Sequence, residues 1–130
     1  MGQPAAKAND SITATDTHVV MIPVGTGTVP TPLPHPFLGT INGGLSRDVF
    51  IDGQPAAPRG ATADNTPPHI PQGGPFQSPP ANRGEILTGS ATVHVNGVPL
   101  ARHGDTALTC NDPTDLPVGS VIAVGTVFAG

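Results

Sequence analysis

The sequence predicts an all-β protein, built from short hairpins with Pro/Gly-rich loops and little or no helix. Three observations support this. Gly and Pro contribute 17 residues each to the 130, and they stand at repeated offsets. Short runs rich in Val and Ile lie between them, as is typical of strands. The chain also repeats internally, and a small repeated unit can bury its apolar face only against other copies. We therefore expect a single domain over residues 1–130, in which about three strand–turn–strand units pack around a pseudo-threefold axis.

The repeat centres on Gly-x-Pro-Ala-Ala followed by a basic residue. It occurs in residues 2–7 and 53–59, and as a near relative in residues 97–102. An offset of 51 residues carries Pro4 onto Pro55 and places His18 on His69. An offset of 44 residues carries the second copy onto the third and aligns Ser46 with Ser90, Val49 with Val93, Ile51 with Val95, Pro55 with Pro99, Ala57 with Ala101 and Gly60 with Gly104.

The elements follow, in order, from turn residues and β-propensity. Residues 13–22 are rich in Thr and Val and are predicted to be extended. Residues 23–38 form a stiff extended arm, because each proline fixes its own φ and restrains the residue before it. The remaining predictions are a turn at residues 41–44, strands ending in Asp-Gly or Asn-Gly turns at 48–53 and 91–97, a loop at 58–83, a short strand at 86–87, and a last strand or hairpin at 121–128.

Composition excludes several classes of function. The net charge is −4 and only five residues are Lys or Arg, so nothing resembles a phosphate-binding surface. Trp and Tyr are absent and Phe occurs four times, which argues against a stacking platform for single-stranded nucleic acid. We expect no nucleic-acid partner. The single cysteine rules out an intrachain disulfide. A chain with this much loop therefore needs another stabilising cross-link.

No targeting segment is predicted. The N-terminal residues lack the apolar stretch of a cleaved export signal, so we expect no signal peptide. The longest apolar run, residues 121–130, is too short to cross a bilayer.

Histidine and cysteine supply a candidate metal site. His18 and His69 are equivalent under the repeat, and equivalent positions converge on a pseudo-axis. Cys110 follows the third copy, three residues out of phase, and His35 stands between two prolines that restrict its backbone. Three imidazoles and one thiolate form the closed tetrahedral set of a structural zinc site. The alternative is that these four are unrelated polar residues in loops.

The other histidines have simpler interpretations. His94 stands on the polar face of a predicted strand, where we expect it to be exposed. His103 occupies the position of Arg59 in the neighbouring copy and is predicted to be a surface turn residue. Cys110 as a catalytic nucleophile is an alternative, although no carboxylate–histidine arrangement beside it is visible in the sequence.

The repeated stretch resembles the motif of the PAAR-repeat family, named for Pro-Ala-Ala-Arg. It stands as Pro-Ala-Ala-Lys at residues 4–7, Pro-Ala-Ala-Pro-Arg at residues 55–59 and Pro-Leu-Ala-Arg at residues 99–102. The family's Gly-Ser-x-Thr-Val run stands at residues 89–93, and it is followed by Asn96-Gly97, Gly104-Asp105 and Cys110. The resemblance spans the chain, with an enlarged, proline-rich middle loop at residues 61–85.

The resemblance implies a small cone of β-hairpins that binds the blunt end of a trimeric, VgrG-like spike as a monomeric cap. Its broad base would dock on the spike, with strands near residues 49–51, 93–95 and 121–128 as candidates for the contact. Its point would carry a structural zinc ion, held by the ligands carried over from the family: His18, His35, His69 and Cys110.

The function implied by the resemblance is not enzymatic. The protein would cap and sharpen the spike of a type VI secretion or related contractile injection machine, aiding membrane puncture and effector delivery. The implied partners are the spike trimer, effector or toxin proteins and, transiently, a target membrane. The implied location is the bacterial cytoplasm before firing, and the outside of the cell or a target cell afterwards.

Two other classes of function stay open at this point. A zinc-dependent or cysteine-based secreted effector enzyme would need an open metal position or an activated thiol. A stand-alone repeat module, such as an adhesin, would be expected to carry a secretion signal.

Overall fold

The computed structural model describes residues 2–130 and contains strands, turns and loops but no helix over that range. The all-β prediction is therefore confirmed. In the described part of the chain there is accordingly no helix long and apolar enough to span a membrane. The strands are β1 (Gln3–Pro4), β2 (Ser11–Val24), β3 (Gly27–Gly43), β4 (Phe50–Ile51), β5 (Gln54–Pro55), β6 (Thr62–Asn65), β7 (Arg83–Ile86), β8 (His94–Val95), β9 (Val98–Pro99), β10 (Thr106–Thr109), β11 (Leu116–Ile122) and β12 (Phe128–Ala129).

Six of these strands close into an antiparallel barrel in the order β10–β11–β2–β3–β6–β7. The barrel consists of three hairpins, β2–β3, β6–β7 and β10–β11, and each hairpin pairs with the next. Side chains on alternate residues fill the interior, so a narrow barrel needs small or branched ones. The interior side chains form two sets of three, with one residue from each hairpin, and all are at most 1% exposed. The first strands of the hairpins contribute Ile12, Ala63 and Ala107, and the second strands contribute Ile41, Ile86 and Val121.

Three two-stranded hairpins, β4–β5, β8–β9 and β1–β12, lead into the barrel strands. Their registers are the same, because Ile51 pairs with Gln54, Val95 with Val98 and Ala129 with Gln3. We call these three the small hairpins. In the third, the first and last strands of the described chain pair with each other. Together the small hairpins bury a second core that consists of Ala5, Ile51, Ala56, Val95, Leu100 and Ala129.

A closed ring of backbone hydrogen bonds joins the three repeats where the small hairpins meet the barrel. The Ala6 N–H donates to the Ala101 carbonyl at 2.9 Å, Ala57 donates to Ala6 at 3.0 Å, and Ala101 donates to Ala57 at 3.1 Å. All three alanines are fully buried, and each comes from one copy of the repeated motif. The alanine of the motif is thus a position where three chain segments meet closely. The predicted pseudo-threefold arrangement follows directly from this ring.

The β2–β3 hairpin is much longer than the other barrel hairpins and runs beyond them. Strand β6 pairs only with residues 39–43 of β3, so residues 27–36 of β3 pair with β2 alone. Prolines occupy alternate positions there, at residues 30, 32, 34 and 36, and all four are exposed. Three of them face Thr17, Val19 and Met21, whose own N–H groups donate away from β3. The proline nitrogens therefore lie on the outer edge, where the ladder needs no donor.

The structure differs from the predicted boundaries in several places. The predicted strand at residues 86–87 is the end of β7, which begins at Arg83, and the predicted last strand at 121–128 is interrupted, because β11 ends at Ile122 and β12 begins at Phe128. Strand β3 continues through the predicted turn at residues 41–44 as far as Gly43, because Ile41 fills the barrel. The predicted loop at residues 58–83 contains all of β6 and the first residue of β7, since barrel closure supplies pairing partners from distant parts of the chain. The predicted strands near residues 48–53 and 91–97 shrink to two paired residues on each side of their turns.

Candidate metal centre

Five side chains with metal-binding atoms converge beyond the barrel, at the end away from the small hairpins. Asp16 and His18 lie on one face of β2, because residues two apart on a strand point the same way. His35 on β3 pairs directly with Asp16 across the ladder. His69 comes from the loop after β6, and Cys110 follows β10 immediately. All five are buried.

Four of the five are close enough to share one ion. The ligand atoms of Asp16, His18, His69 and Cys110 all lie within 4.8 Å of one another. Ligands of a tetrahedral zinc ion stand about 3.3–3.6 Å apart, given metal–ligand bonds of 2.0–2.3 Å. A metal ion would therefore require only a modest contraction of the group.

The Asp16 carboxylate is wholly buried, and in the described part of the chain its partner is the His69 imidazole rather than a lysine or arginine. Its Oδ2 lies 2.8 Å from His69 Nε2 and 3.5 Å from the Cys110 Sγ. Its Oδ1 accepts a hydrogen bond from the Thr109 hydroxyl at 2.5 Å. A buried carboxylate is costly unless a cation or several donors compensate it. A bound cation would supply that compensation.

His18 presents two buried nitrogens that have no hydrogen-bond partner in the described chain. The nearest charged atom is Asp112 Oδ2, 3.5 Å from Nδ1, and this oxygen already accepts from the Val19 N–H. Burial lowers the pKa of His18, and the negative charge of Asp112 only partly opposes that effect. A neutral, unpartnered imidazole is the form that ligates metal ions. This orphaned ring is the strongest sign that the cluster accommodates a ligand.

The Cys110 thiol is buried and free. Burial and, to a smaller extent, the nearby Asp16 carboxylate together raise its pKa to about 11, although hydrogen bonds from the backbone of Asn82 and Arg83 act in the opposite direction. A nucleophilic cysteine needs the opposite shift, since the thiolate is the reactive form. A metal ion would reverse the local balance, because a coordinating thiol loses its proton.

His35 lies beside the four-residue group. Its Nδ1 stands 2.9 Å from the Leu33 carbonyl oxygen, which can only accept, so Nδ1 carries the proton and Nε2 keeps its lone pair. Its ring centroid lies 5.6 Å from that of His18 and 5.5 Å from that of His69. The membership of His35 in a ligand set stays a prediction. Phe76, from the loop between β6 and β7, packs against the rings of both His18 and His35.

A cleft of about 270 Å³ opens beside His35 and His69. Its walls are largely apolar and rigid, because prolines contribute several of them. Of the five converging residues, it borders His35 and His69. The other lining residues include Pro34, Pro36, Leu38, Pro67, Pro68 and Ile70.

The structure thus brings His18, His69 and Cys110 of the predicted ligand set together, places His35 next to them and adds Asp16. The sequence carried a signal for Asp16, because Asp16-x-His18 lies within a segment predicted to be extended and so puts both side chains on one face. His94 is exposed, as expected. His103 is half-buried in its turn, and its Nδ1 accepts a hydrogen bond from the Ala123 N–H at 3.1 Å.

The donor set fits a metal ion of zinc-like preference, since imidazole, thiolate and carboxylate are all zinc ligands. The geometry is equally compatible with other divalent transition metals that accept the same donors. No protein-family model matches this chain, and no curated protein shows significant similarity to it.

Proposed function

We propose that this protein is a non-enzymatic structural tip. It would cap a trimeric, VgrG-like spike of a type VI secretion or related contractile injection machine, with a structural zinc ion bound beyond the barrel. The observation that carries the proposal is the closed ring formed by Ala6, Ala57 and Ala101. It gives one chain three equivalent hairpins around one axis.

Such an axis is what a monomer needs in order to cover the end of a homotrimer. A homotrimer offers three copies of one surface, and a single chain can match them only by repeating its own contact element three times. The small hairpins do so. Phe50, His94 and Phe128 occupy equivalent register positions, opposite Pro55, Pro99 and Pro4 respectively, and all three are exposed.

The exposed apolar residues near the small hairpins support a docking surface there. Phe50 and Phe128 are each 59% exposed, and Val124 and Val127 are also open to solvent. Exposed apolar side chains are typical of protein-binding surfaces, although Val24, Val29 and Ile70, away from the small hairpins, are exposed as well.

The candidate metal centre supports a role in rigidity. A metal held by several protein ligands ties β2 and the loop after β6 to the end of β10, and bound metal contributes its binding free energy to the stability of the fold. The raised pKa of Cys110 argues against the alternative of a cysteine-based enzyme.

Co-purification with a trimeric β-helical spike protein tests the proposal. The chain should form a complex of one cap per trimer, measured by light scattering on a sizing column. Phe50→Asp and Phe128→Asp should each weaken binding by at least tenfold, because they place a charge in a contact that must exclude water.

Ile70→Asp is the matched control. Ile70 is 68% exposed but lies at the metal end of the molecule, so this variant should bind normally. Equal weakening by all three variants, or normal binding by the two phenylalanine variants, would contradict docking through the small hairpins.

A further inference from the structure

His69 reaches the cluster from the loop between β6 and β7, and two asparagines close the neck of that loop. The Asn65 N–H donates to the Asn82 carbonyl at 2.8 Å, and Asn65 Nδ2 donates to Asn82 Oδ1 at 3.1 Å. The His69 N–H donates to the same Asn82 Oδ1 at 2.8 Å. These bonds fix the His69 backbone relative to β6 even though the loop itself is long.

The backbone also fixes which way the Asn65 amide points. The Leu38 N–H donates to Asn65 Oδ1 at 2.9 Å, and a backbone N–H can only donate. The amide nitrogen Nδ2 must therefore occupy the other end, where it lies 3.2 Å from His69 Nδ1. Because an amide NH2 group cannot accept, His69 Nδ1 must be the acceptor.

The proton on the neutral His69 ring is then assigned to Nε2. This nitrogen lies 2.8 Å from Asp16 Oδ2 and donates to it. A single chain of hydrogen bonds thus runs from the Leu38 N–H through Asn65 and His69 to the Asp16 carboxylate.

We propose that Asn65 is a positioning residue that holds His69 in its Nε2–H tautomer in the metal-free protein and so restrains the affinity of the metal centre. The inference rests on the proposed metal centre. An imidazole binds a metal through the nitrogen without a proton, so ligation through Nε2 requires the proton to sit on Nδ1. Ligation through Nε2 therefore moves the proton of the ring from Nε2 to Nδ1. There the new N–H group would face the NH2 group of Asn65, and because both are donors this contact disfavours the metal-binding tautomer.

The tautomer is measured without metal. Long-range ¹H–¹⁵N correlation spectra of the chelator-treated protein at constant pH should show His69 with its proton on Nε2. Asn65→Asp keeps an oxygen for the Leu38 N–H and places an acceptor opposite His69 Nδ1, at the cost of the bond that Asn65 Nδ2 donates to Asn82 Oδ1. In that variant the Nδ1 of His69 should carry a proton, whereas the exposed His94 should be unchanged.

Metal affinity gives a second readout, through zinc titration against a competing chelator. Asn65→Asp should bind zinc at least about tenfold more tightly, since a carboxylate that accepts from the ligating histidine typically changes affinity by 10–100-fold. A merely structural role for Asn65 predicts weaker binding instead. Gln3→Glu, at an exposed position on β1, controls for the added charge at a distance.

Leu38→Pro separates tautomer from charge. It removes the N–H that pins the amide, adds no charge and leaves the β2–β3 ladder intact, because Leu38 donates to Asn65 rather than to β2. The amide is then oriented by the bond from its Nδ2 to Asn82 Oδ1, so turning its oxygen to His69 Nδ1 costs one hydrogen bond fewer than in the wild-type protein, and zinc affinity should rise, by less than in Asn65→Asp. This variant also keeps the test available if Asn65→Asp does not fold.

The outcomes are distinguishable. A wild-type His69 with its proton on Nδ1, or tighter binding in Asn65→Asp without tighter binding in Leu38→Pro, overturns the role of Asn65. A protein that shows the expected tautomers but binds no zinc supports the hydrogen-bond assignment and overturns the metal centre.

Discussion

Asp16 is the residue through which most of the candidate metal centre is connected. It contacts His69, Thr109 and Cys110, and it faces His35 across the ladder. A carboxylate in this position is stable only with a compensating cation or donors, so it makes the cluster a site that favours a cation.

Single-residue substitutions should therefore change metal content selectively. We expect one metal ion per chain in the wild-type protein. His18→Ala, His69→Ala, Cys110→Ala and Asp16→Asn should each weaken binding by at least about tenfold, since even outer partners of a metal site contribute that much. Elemental mass spectrometry of the purified variants measures this, with His35→Ala deciding whether His35 is a ligand.

His94→Ala is the control for these variants, because His94 is exposed on β8. It should retain the wild-type metal content and melting temperature. A metal content that is the same in all variants would contradict the site.

The pKa of Cys110 gives the metal-free protein a pH dependence at alkaline pH. Below pH 9 the thiol is protonated in the folded and unfolded states alike and has no effect. Between pH 9 and about 11 the unfolded thiol loses its proton while the folded one retains it, so the unfolded state gains stability. Chelator-treated protein should thus lose stability across this window in denaturant melts, and Cys110→Ala should lose less.

At the scale of elements, β3 shows how a proline-rich segment serves as a strand. Its prolines alternate along an edge that no other strand covers, so the edge lacks N–H donors at those positions. An edge without donors is a poor template for pairing with another molecule.

Restoring those donors should have two effects. Pro32→Thr should lower the free energy of unfolding by about 0.5–1 kcal/mol, because the unfolded chain gains freedom. A variant with threonine at positions 30, 32 and 34 should in addition self-associate through the open edge, which light scattering detects. Pro79→Thr, in an exposed loop, should show only the entropic effect, and self-association of this control would contradict the edge explanation.

The internal repeats made much of the architecture predictable from the sequence. Strand β6 and the start of β7 were not predicted, because they lie in a segment that the sequence indicates to be a loop. The motif alanines align at the predicted offsets because each occupies the same place in the ring. Strand β6 reads Thr-Ala-Asp-Asn, and only Ala63 and Asn65 of it are buried, so its extended structure depends on pairing with β3 and β7. Such pairing comes from distant sequence and has no local signature.

The candidate site was predictable to a similar degree. The offset of 51 residues placed His69 with His18, although β6 ends at Asn65 and His69 lies in a loop. Cys110 was found through its position after the third copy. The hydrogen bonds of Asn65 and Asn82 could not be anticipated, because they depend on how a long loop closes.

At the scale of the whole molecule, the third small hairpin has the same register as the other two but joins the first and last strands. Gly2 and Gly130 stand where Asp52-Gly53 and Asn96-Gly97 form the turns of the other hairpins. A protein without residue 1, in which Gly130 is joined to Gly2 and the chain is cut between Asp52 and Gly53, should fold. Its melting temperature should fall by no more than about 4 °C, equivalent to about 1 kcal/mol for a chain of 130 residues.

The same join combined with a cut between Thr17 and His18 is the control. That cut interrupts the longest ladder of the fold, so circular dichroism should show loss of β structure. Equal stability of the two permuted proteins would contradict the view that the small hairpins are interchangeable.

The ring of Ala6, Ala57 and Ala101 has a consequence for how a cap would be seated. Turning the chain by one third of a revolution brings each small hairpin onto the next, and the outward side chain then changes only between phenylalanine and histidine. A threefold partner would accept three nearly equivalent placements, which favours association by up to RT ln 3, about 0.6 kcal/mol. A reconstruction averaged around that axis would blur the long β2–β3 hairpin into three weak copies while keeping the small hairpins sharp.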